Sequence, residues 1–207
     1  MSASIDYYFT AASPFAYLGH DFLMEIAAKH GKEVNFKPFN IMAVWEKSGS
    51  VPPGQRSLTR QRYRLVEIER VALMRNIKAM AAPTNFPTDP TLADHCICAL
   101  DLEGINPAPF TRAVGQALWE QDKQIADEAT LKALLETCGH DAEQILTIAH
   151  SDQATERRAQ NTSDAIEQDA IGAPAYVYAG EVFWGQDRLE YLDQMIGSGR
   201  DAIVADL

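Results

Sequence analysis

Residues 5–18, I-D-Y-Y-F-T-A-A-S-P-F-A-Y-L, decide how this chain folds. A short aromatic run, residues 5–10, is rich in strand formers. After it, apolar residues at Phe15, Leu18, Phe22 and Ile26 recur at helical spacing up to His30, and Gly31 follows as a stop. Ser13 at the junction is a helix-capping residue type. Pro14 suits the first helical position, where the N–H that proline lacks would have no partner anyway. Downstream, E-V-N-F-K-P-F (33–39) alternates Val34, Phe36 and Pro38 with polar positions and predicts a second strand. Strand, helix and strand with a crossover of this length imply parallel pairing.

Working outward, W-E-K-S-G-S-V-P-P-G (45–54) is rich in Gly, Pro and Ser and reads as a loop at a composition boundary. A long helix is predicted from about Arg56 to Met80, with Leu58, Leu65, Ile68 and Ala72 on one stripe. The proline-punctuated A-P-T-N-F-P-T-D-P (82–90) ends it. Further helices are expected at 91–102, 108–122, 128–138, 141–149 and 152–169, with Asp127 as an N-cap. A-Y-V-Y (175–178) and E-V-F-W (181–184) flank the two-residue turn Ala179-Gly180 and predict a hairpin. A closing helix is expected from about Asp187, with Leu189, Leu192 and Ile196 inward and Gly197 at its end. Neither end has enough strands to stand alone, so one sheet interrupted by helices is expected. That divides the chain into a discontinuous sheet domain, 1–44 with 168–207, and a helical insertion domain, 45–167.

The chain has 207 residues and a net charge of −11, which argues against nonspecific binding of nucleic acid or an anionic membrane. Basic residues crowd one segment, Arg56, Arg60, Arg62, Arg64, Arg70 and Arg75. Their bland reading is a solvated helix face pairing with Glu67 and Glu69. No basic and apolar leader opens the sequence and no apolar run reaches bilayer length, so a cytoplasmic protein is expected. Three cysteines argue against a disulfide framework. Cys96 and Cys98 lie two apart in a helical pattern and point to different faces, so all three are expected to be small buried hydrophobes. The histidines at 20, 30, 95, 140 and 150 lack ligand spacing, so no metal is expected. Dinucleotide, P-loop, zinc-protease and serine-esterase motifs are absent.

Three segments remain as carriers of chemistry: S-P-F-A-Y (13–17), I-G-A-P-A-Y (171–176) and F-W-G-Q-D-R-L (183–189). The β-α-β opening, the helical stretch and the closing β-β-α behind a Gly-x-Pro resemble an α/β thioredoxin-like sheet domain with a large all-helical insertion, in its DsbA-like form. In that fold a Cys-x-x-Cys pair opens the first helix and a cis proline lies beside it. Here the helix opens Ser13-Pro14-Phe15-Ala16, without sulfur. The order and spacing of the three motifs resemble 2-hydroxychromene-2-carboxylate isomerases and the related kappa-class glutathione transferases over essentially the whole chain. The resemblance implies glutathione as cofactor, a small aromatic substrate and a homodimer.

It further implies Ser13 as the catalytic residue, donating to the glutathione sulfur, and Ala173 and cis Pro174 as the backbone edge along which glutathione lies. Trp184, Gly185, Gln186, Asp187 and Arg188 would hold its charged end. Lys47, Ser50, Asn85 and Phe86 would face the aromatic substrate, Ser50 standing where the family usually has asparagine. The family also commonly has an acidic or aromatic pair before Ser-Pro, whereas this chain has Thr10-Ala11-Ala12. Without the resemblance, Ser13 is a cap, Pro174 opens an edge strand, and Asp187 and Arg188 are a cap and a surface charge. Three readings therefore stand side by side: an isomerase, a kappa-class transferase, and a noncatalytic thioredoxin-like binding module.

Overall fold

The strand-to-helix passage is realised in a computed structural model that describes residues 4–205. Strand β1 (Ile5–Phe9) turns into helix α1 (Pro14–His30), and β2 (Val34–Pro38) returns parallel to β1 with Tyr7 opposite Phe36. Then come α2 (Ile41–Ser48), α3 (Leu58–Met74), α4 (Thr91–Leu102), α5 (Ala108–Trp119), α6 (Glu128–Thr137), α7 (Ala142–Ala149) and α8 (Asp152–Glu167). Strands β3 (Ala175–Tyr178) and β4 (Glu181–Trp184) and helix α9 (Leu189–Ser198) close the chain. The sheet order is β2-β1-β3-β4, with β3 antiparallel to both β1 and β4. This is the expected DsbA-like thioredoxin architecture.

Alternation along the strands divides the core. Ile5, Tyr7, Phe9, Phe36, Tyr176 and Phe183 share one cluster with Ala93, Ile97, Phe110, Leu118 and Trp119 from the intervening helices. Tyr7 stacks on Phe9 at 4.2 Å and on Tyr176 at 5.3 Å between ring centroids. Tyr8, Ala175 and Val177 belong to a second cluster, with Phe39, Val44 and Ala165. The sheet and the helices between its two halves therefore share an apolar core, and α4 and α8 both pack on β2.

Several boundaries differ from expectation. Residues 45–48 are not loop but the end of α2, because the Asn40 side chain accepts from Met42 N–H and nucleates a helix that Gly49 ends in left-handed conformation. The glycines and prolines just downstream hide this helix in the composition. Helix α3 ends at Met74 rather than Met80: Asn76 turns to φ 55°, which no helix continues through. Helix α5 stops at Trp119, shortly before Asp122 takes φ 50°. Gly197 lies inside α9, which ends at Gly199, and a 3-10 turn over Gln186–Arg188 precedes it, so Asp187 is not its cap. Asp127 does cap its helix, accepting from Thr130 N–H. Cys96 and Cys98 are buried, where burial pushes both thiols up to about 12, and Cys138 is half-buried. No group of potential metal ligands occurs among the described residues, and among them no helix is long and apolar enough to cross a membrane.

Two close approaches fix α1. A Cβ at Gly115 of α5 would lie 2.8 Å from Cγ of the buried Tyr17, whose hydroxyl donates to Glu120. The second is polar. Asp94 of α4 is 0% exposed, and it accepts from Ala11 N–H at 2.8 Å, Arg158 Nε at 3.0 Å and the Thr10 hydroxyl at 3.4 Å. Helices α4 and α8 thus hold the turn that precedes Ser13. Burial pushes the Asp94 carboxyl up to about 6, against the opposing pull of Arg158 and the Ala11 N–H.

Gly115→Ala is expected to lower stability by about 1–3 kcal/mol despite alanine's better helix propensity, measured by denaturant unfolding, because the tethered Tyr17 ring cannot swing away. Asp94→Asn is expected to cost about 3 kcal/mol near neutral pH, since Arg158 loses a buried carboxylate. Asp94 binds its proton more tightly folded than unfolded, so its titration stabilises fully below about pH 4 and is lost as pH rises through about 6. Only the native chain has this term. The stability gap to Asp94→Asn should therefore widen by about 1 kcal/mol between pH 7 and pH 5, and a constant gap would contradict the assignment.

Candidate functional site

Ser13 stands at the buried start of α1. Its backbone is extended and its Oγ accepts from Ala16 N–H at 3.2 Å, which makes it the N-cap. The hydroxyl proton faces Ala173 O at 3.5 Å, the outer limit of a hydrogen bond and therefore a weak one. Pro14 has no N–H, and Tyr17 N–H is taken by Ser13 O. Among the described residues the Phe15 N–H has no acceptor. A cap hydroxyl with a weakly held proton thus lies at the positive end of a 17-residue helix whose first turn contains no acid. The Tyr7 hydroxyl donates to Ala16 O at 3.2 Å and ties this first turn to the sheet.

The second motif lies against the first. The Ala173-Pro174 peptide is cis, as the resemblance implied, and Pro174 is buried with Ala173 half-exposed beside Ser13. Pro174 O accepts from Gly185 N–H at 2.8 Å, which joins the third motif to the second. Gly185 has φ 102°, a backbone conformation that L side chains rarely adopt, so glycine is required. Ser13, Ala173, Pro174 and Gly185 are thereby brought together from positions some 160 residues apart.

Gln186 turns away from this edge. It is buried, and its Oε1 accepts from Arg75 at 2.8 and 3.1 Å while Arg75 lies 4.5 Å above the Phe22 ring. A Cβ at Gly19 would sit 2.8 Å from Gln186 Cβ, so α1 and the start of the last helix meet without a side chain between them. Asp187 and Arg188 are exposed and pair with each other at 2.9 Å. Trp184 is exposed beside them.

On the far side, the Ser50 and Ser48 hydroxyls donate to Ile171 O at 3.4 and 3.1 Å, placing the end of α2 against the cis-proline segment. Lys47 is exposed at that end. A Cβ on Gly172 would lie 3.1 Å from Trp184 Nε1 and 3.3 Å from Trp45 Nε1, so two indoles flank this glycine. Asn85 is spent on structure: its N–H and Nδ2 both bond Asp122. Phe86 packs on Trp119 at 5.0 Å and lies 5.3 Å under the Arg64 guanidinium. The arginine segment is therefore not simply a solvated face. Arg70 pairs with Glu67, but Arg56, Arg64 and Arg75 lie over Trp45, Phe86 and Phe22.

Sequence reasoning missed Trp45, read as loop, and Asp94, read as one polar residue of a helix. The spacing of Arg56, Arg60 and Arg64 at intervals of four was the visible signal for a basic stripe.

Residues 4–197 match the family model of the DSBA-like thioredoxin domain. The chain is 29% identical over 196 residues to a 2-hydroxychromene-2-carboxylate isomerase of Pseudomonas putida, covering 93% of this chain and 94% of that one. It is 25% identical over 198 residues to one of Sphingobium xenophagum, covering 95% and 99%. A solved structure of a 2-hydroxychromene-2-carboxylate isomerase superposes with a TM-score of 0.79 at 27% identity, covering 94% of both chains. On the match of its sheet, its insertion and its Ser13 helix to that family model, the chain belongs to the family of DSBA-like thioredoxin domains.

Proposed function

We propose that this protein is a glutathione-dependent isomerase of 2-hydroxychromene-2-carboxylate-type aromatic pyruvate derivatives. Relatives that bear the isomerase name match over nearly their whole length and support an isomerase activity. The observation that carries the glutathione reading is the start of α1, where the Ser13 hydroxyl proton is weakly held and, among the described residues, the Phe15 N–H has no acceptor. Two donors at a positive helix end suit a thiolate, the minority form of a thiol of pKa about 8.5 at neutral pH. They suit disulfide exchange poorly, since neither helix-start position carries sulfur.

When bound, glutathione would supply a thiolate for reversible addition to a conjugated carbon, with rotation about the resulting single bond and elimination returning the same thiolate. Ser13 donates its proton as a hydrogen bond to sulfur and keeps it, which requires no neighbouring histidine. Ala173 offers main-chain N–H and C=O to a peptide backbone, in the manner of an added strand. In this reading Trp184, Asp187 and Arg188, exposed beside Gly185, would receive the charged γ-glutamyl end. Gly185 keeps that segment close to Pro174, and Gln186 serves through Arg75 as a support of the turn.

Ser13→Ala is expected to leave glutathione affinity within about threefold while raising the pKa of the bound thiol by about one unit and lowering kcat/KM roughly 10- to 100-fold. Ultraviolet titration of the bound thiolate checks the first effect, and an unchanged titration would remove Ser13 from the role. Turnover of the chromene to its ring-opened isomer should leave the concentration of free thiol constant. Stoichiometric thiol loss would instead identify a transferase, and no glutathione binding by calorimetry at millimolar ligand would overturn both.

A further inference from the structure

The basic stripe of α3 is unusual in a protein of charge −11. Arg70, Arg112, Arg157, Arg158, Arg188 and Arg200 each have a carboxylate within 4.0 Å. Among the described residues, Arg56, Arg60, Arg62, Arg64 and Arg75 have none, and of these Arg75 is held by Gln186. Arg64 is half-buried, and its five guanidinium donors meet no acceptor among those residues, only the Phe86 ring face at 5.3 Å. Arg56 donates from Nε to Val51 O at 2.6 Å and lies 5.8 Å from the Trp45 ring centroid. Burial and the neighbouring Arg56 hold the Arg64 pKa below the usual guanidinium range, and burial and Arg60 do the same at Arg56. Desolvated like charges without a counterion are costly, and an anion would relieve them.

Packing sets this pair on the side of α3 that leads toward the start of α1. The Arg75 end of α3 covers Phe22 of α1, and Ile68, Val71 and Ala72 pack with Leu18 and Phe15. Moving back along α3 therefore moves back along α1 toward its start. Arg64, one turn before Ile68, lies about 6 Å further in that direction. Trp45, under Arg56, meets Gly172 one residue before Ala173, which faces Ser13.

We propose that Arg64, backed by Arg56, is the group that selects an anionic substrate at this site, receiving the carboxylate of a planar aromatic acid whose ring lies among Phe86 and Trp45. The inference rests on the isomerase reading and adds to it the residue that recognises the acid. A bidentate guanidinium suits a carboxylate, and local positive charge draws an acid toward an otherwise repelling surface.

The test compares 2-hydroxychromene-2-carboxylate with its carboxamide, and cinnamate with cinnamamide, on the full chain and on Arg64→Ala and Arg64→Lys. Arg64→Ala should lower kcat/KM for the carboxylate roughly 10- to 100-fold and weaken cinnamate binding similarly, followed by tryptophan fluorescence quenching. It should leave the carboxamides and the glutathione KM unchanged, with Arg64→Lys restoring part of the loss. Equal losses for acid and amide, or none, would overturn the inference while leaving the isomerase reading intact. An Arg64-dependent preference for cinnamate without any isomerisation would support the anion site and overturn the isomerase reading instead.

Discussion

The carboxylate of Asp94 organises the molecule. It has no solvent exposure, and the groups it binds come from two places outside its own helix α4: the Thr10-Ala11 turn and Arg158 of α8. A charge so placed is tolerated only when its lone pairs are filled, and filling them requires the turn before Ser13 to adopt one geometry. The orientation of the α1 start is therefore dictated by two helices of the insertion and not by the sheet alone.

Around this tether, apolar packing works at close range. The aromatic face of β1, with Tyr7 stacked between Phe9 and Tyr176, supplies a rigid floor, and glycines at 19 and 115 let α1 approach its neighbours without intervening side chains. Arg75 links two distant parts of the chain through Gln186, and the Gly185 N–H links two motifs through Pro174 O. Site geometry is thus inherited from core packing, and the exposed residues at the rim, Lys47, Asp187 and Arg188, carry little of it.

Much of this was legible in the residues. Aromatic strand formers, one alternating run, a two-residue hairpin turn and helical spacing located strands β1 to β4 and most helices, and Ser13-Pro14 announced both the cap and the helix start. The failures share a physical origin. Helix α2 was hidden because Asn40 starts it through a side-chain bond, while the glycines and prolines after it dominated the composition. The overlong α3 ended at an asparagine in left-handed conformation, which spacing does not reveal. Asp94 looked like any polar residue in a helix because its partners lie 64 and more positions away. Arg56 and Arg64 looked solvated because the aromatic rings beneath them, Trp45 and Phe86, come from outside the helix. Asn85 looked available for a substrate, but its amide is committed to Asp122.

The contact of Ser13 with Ala173 spans 160 positions of sequence. At a synthesis rate of about 5–20 residues per second, roughly 10–30 seconds separate the emergence of the helix start from that of the segment completing it. During that interval α1 has neither its Gln186 neighbour nor the β3 strand that flanks β1. The growing chain therefore holds the cap and its donors without the edge opposite them, and any capacity to bind a thiol-bearing peptide arises only when the C-terminal hairpin docks.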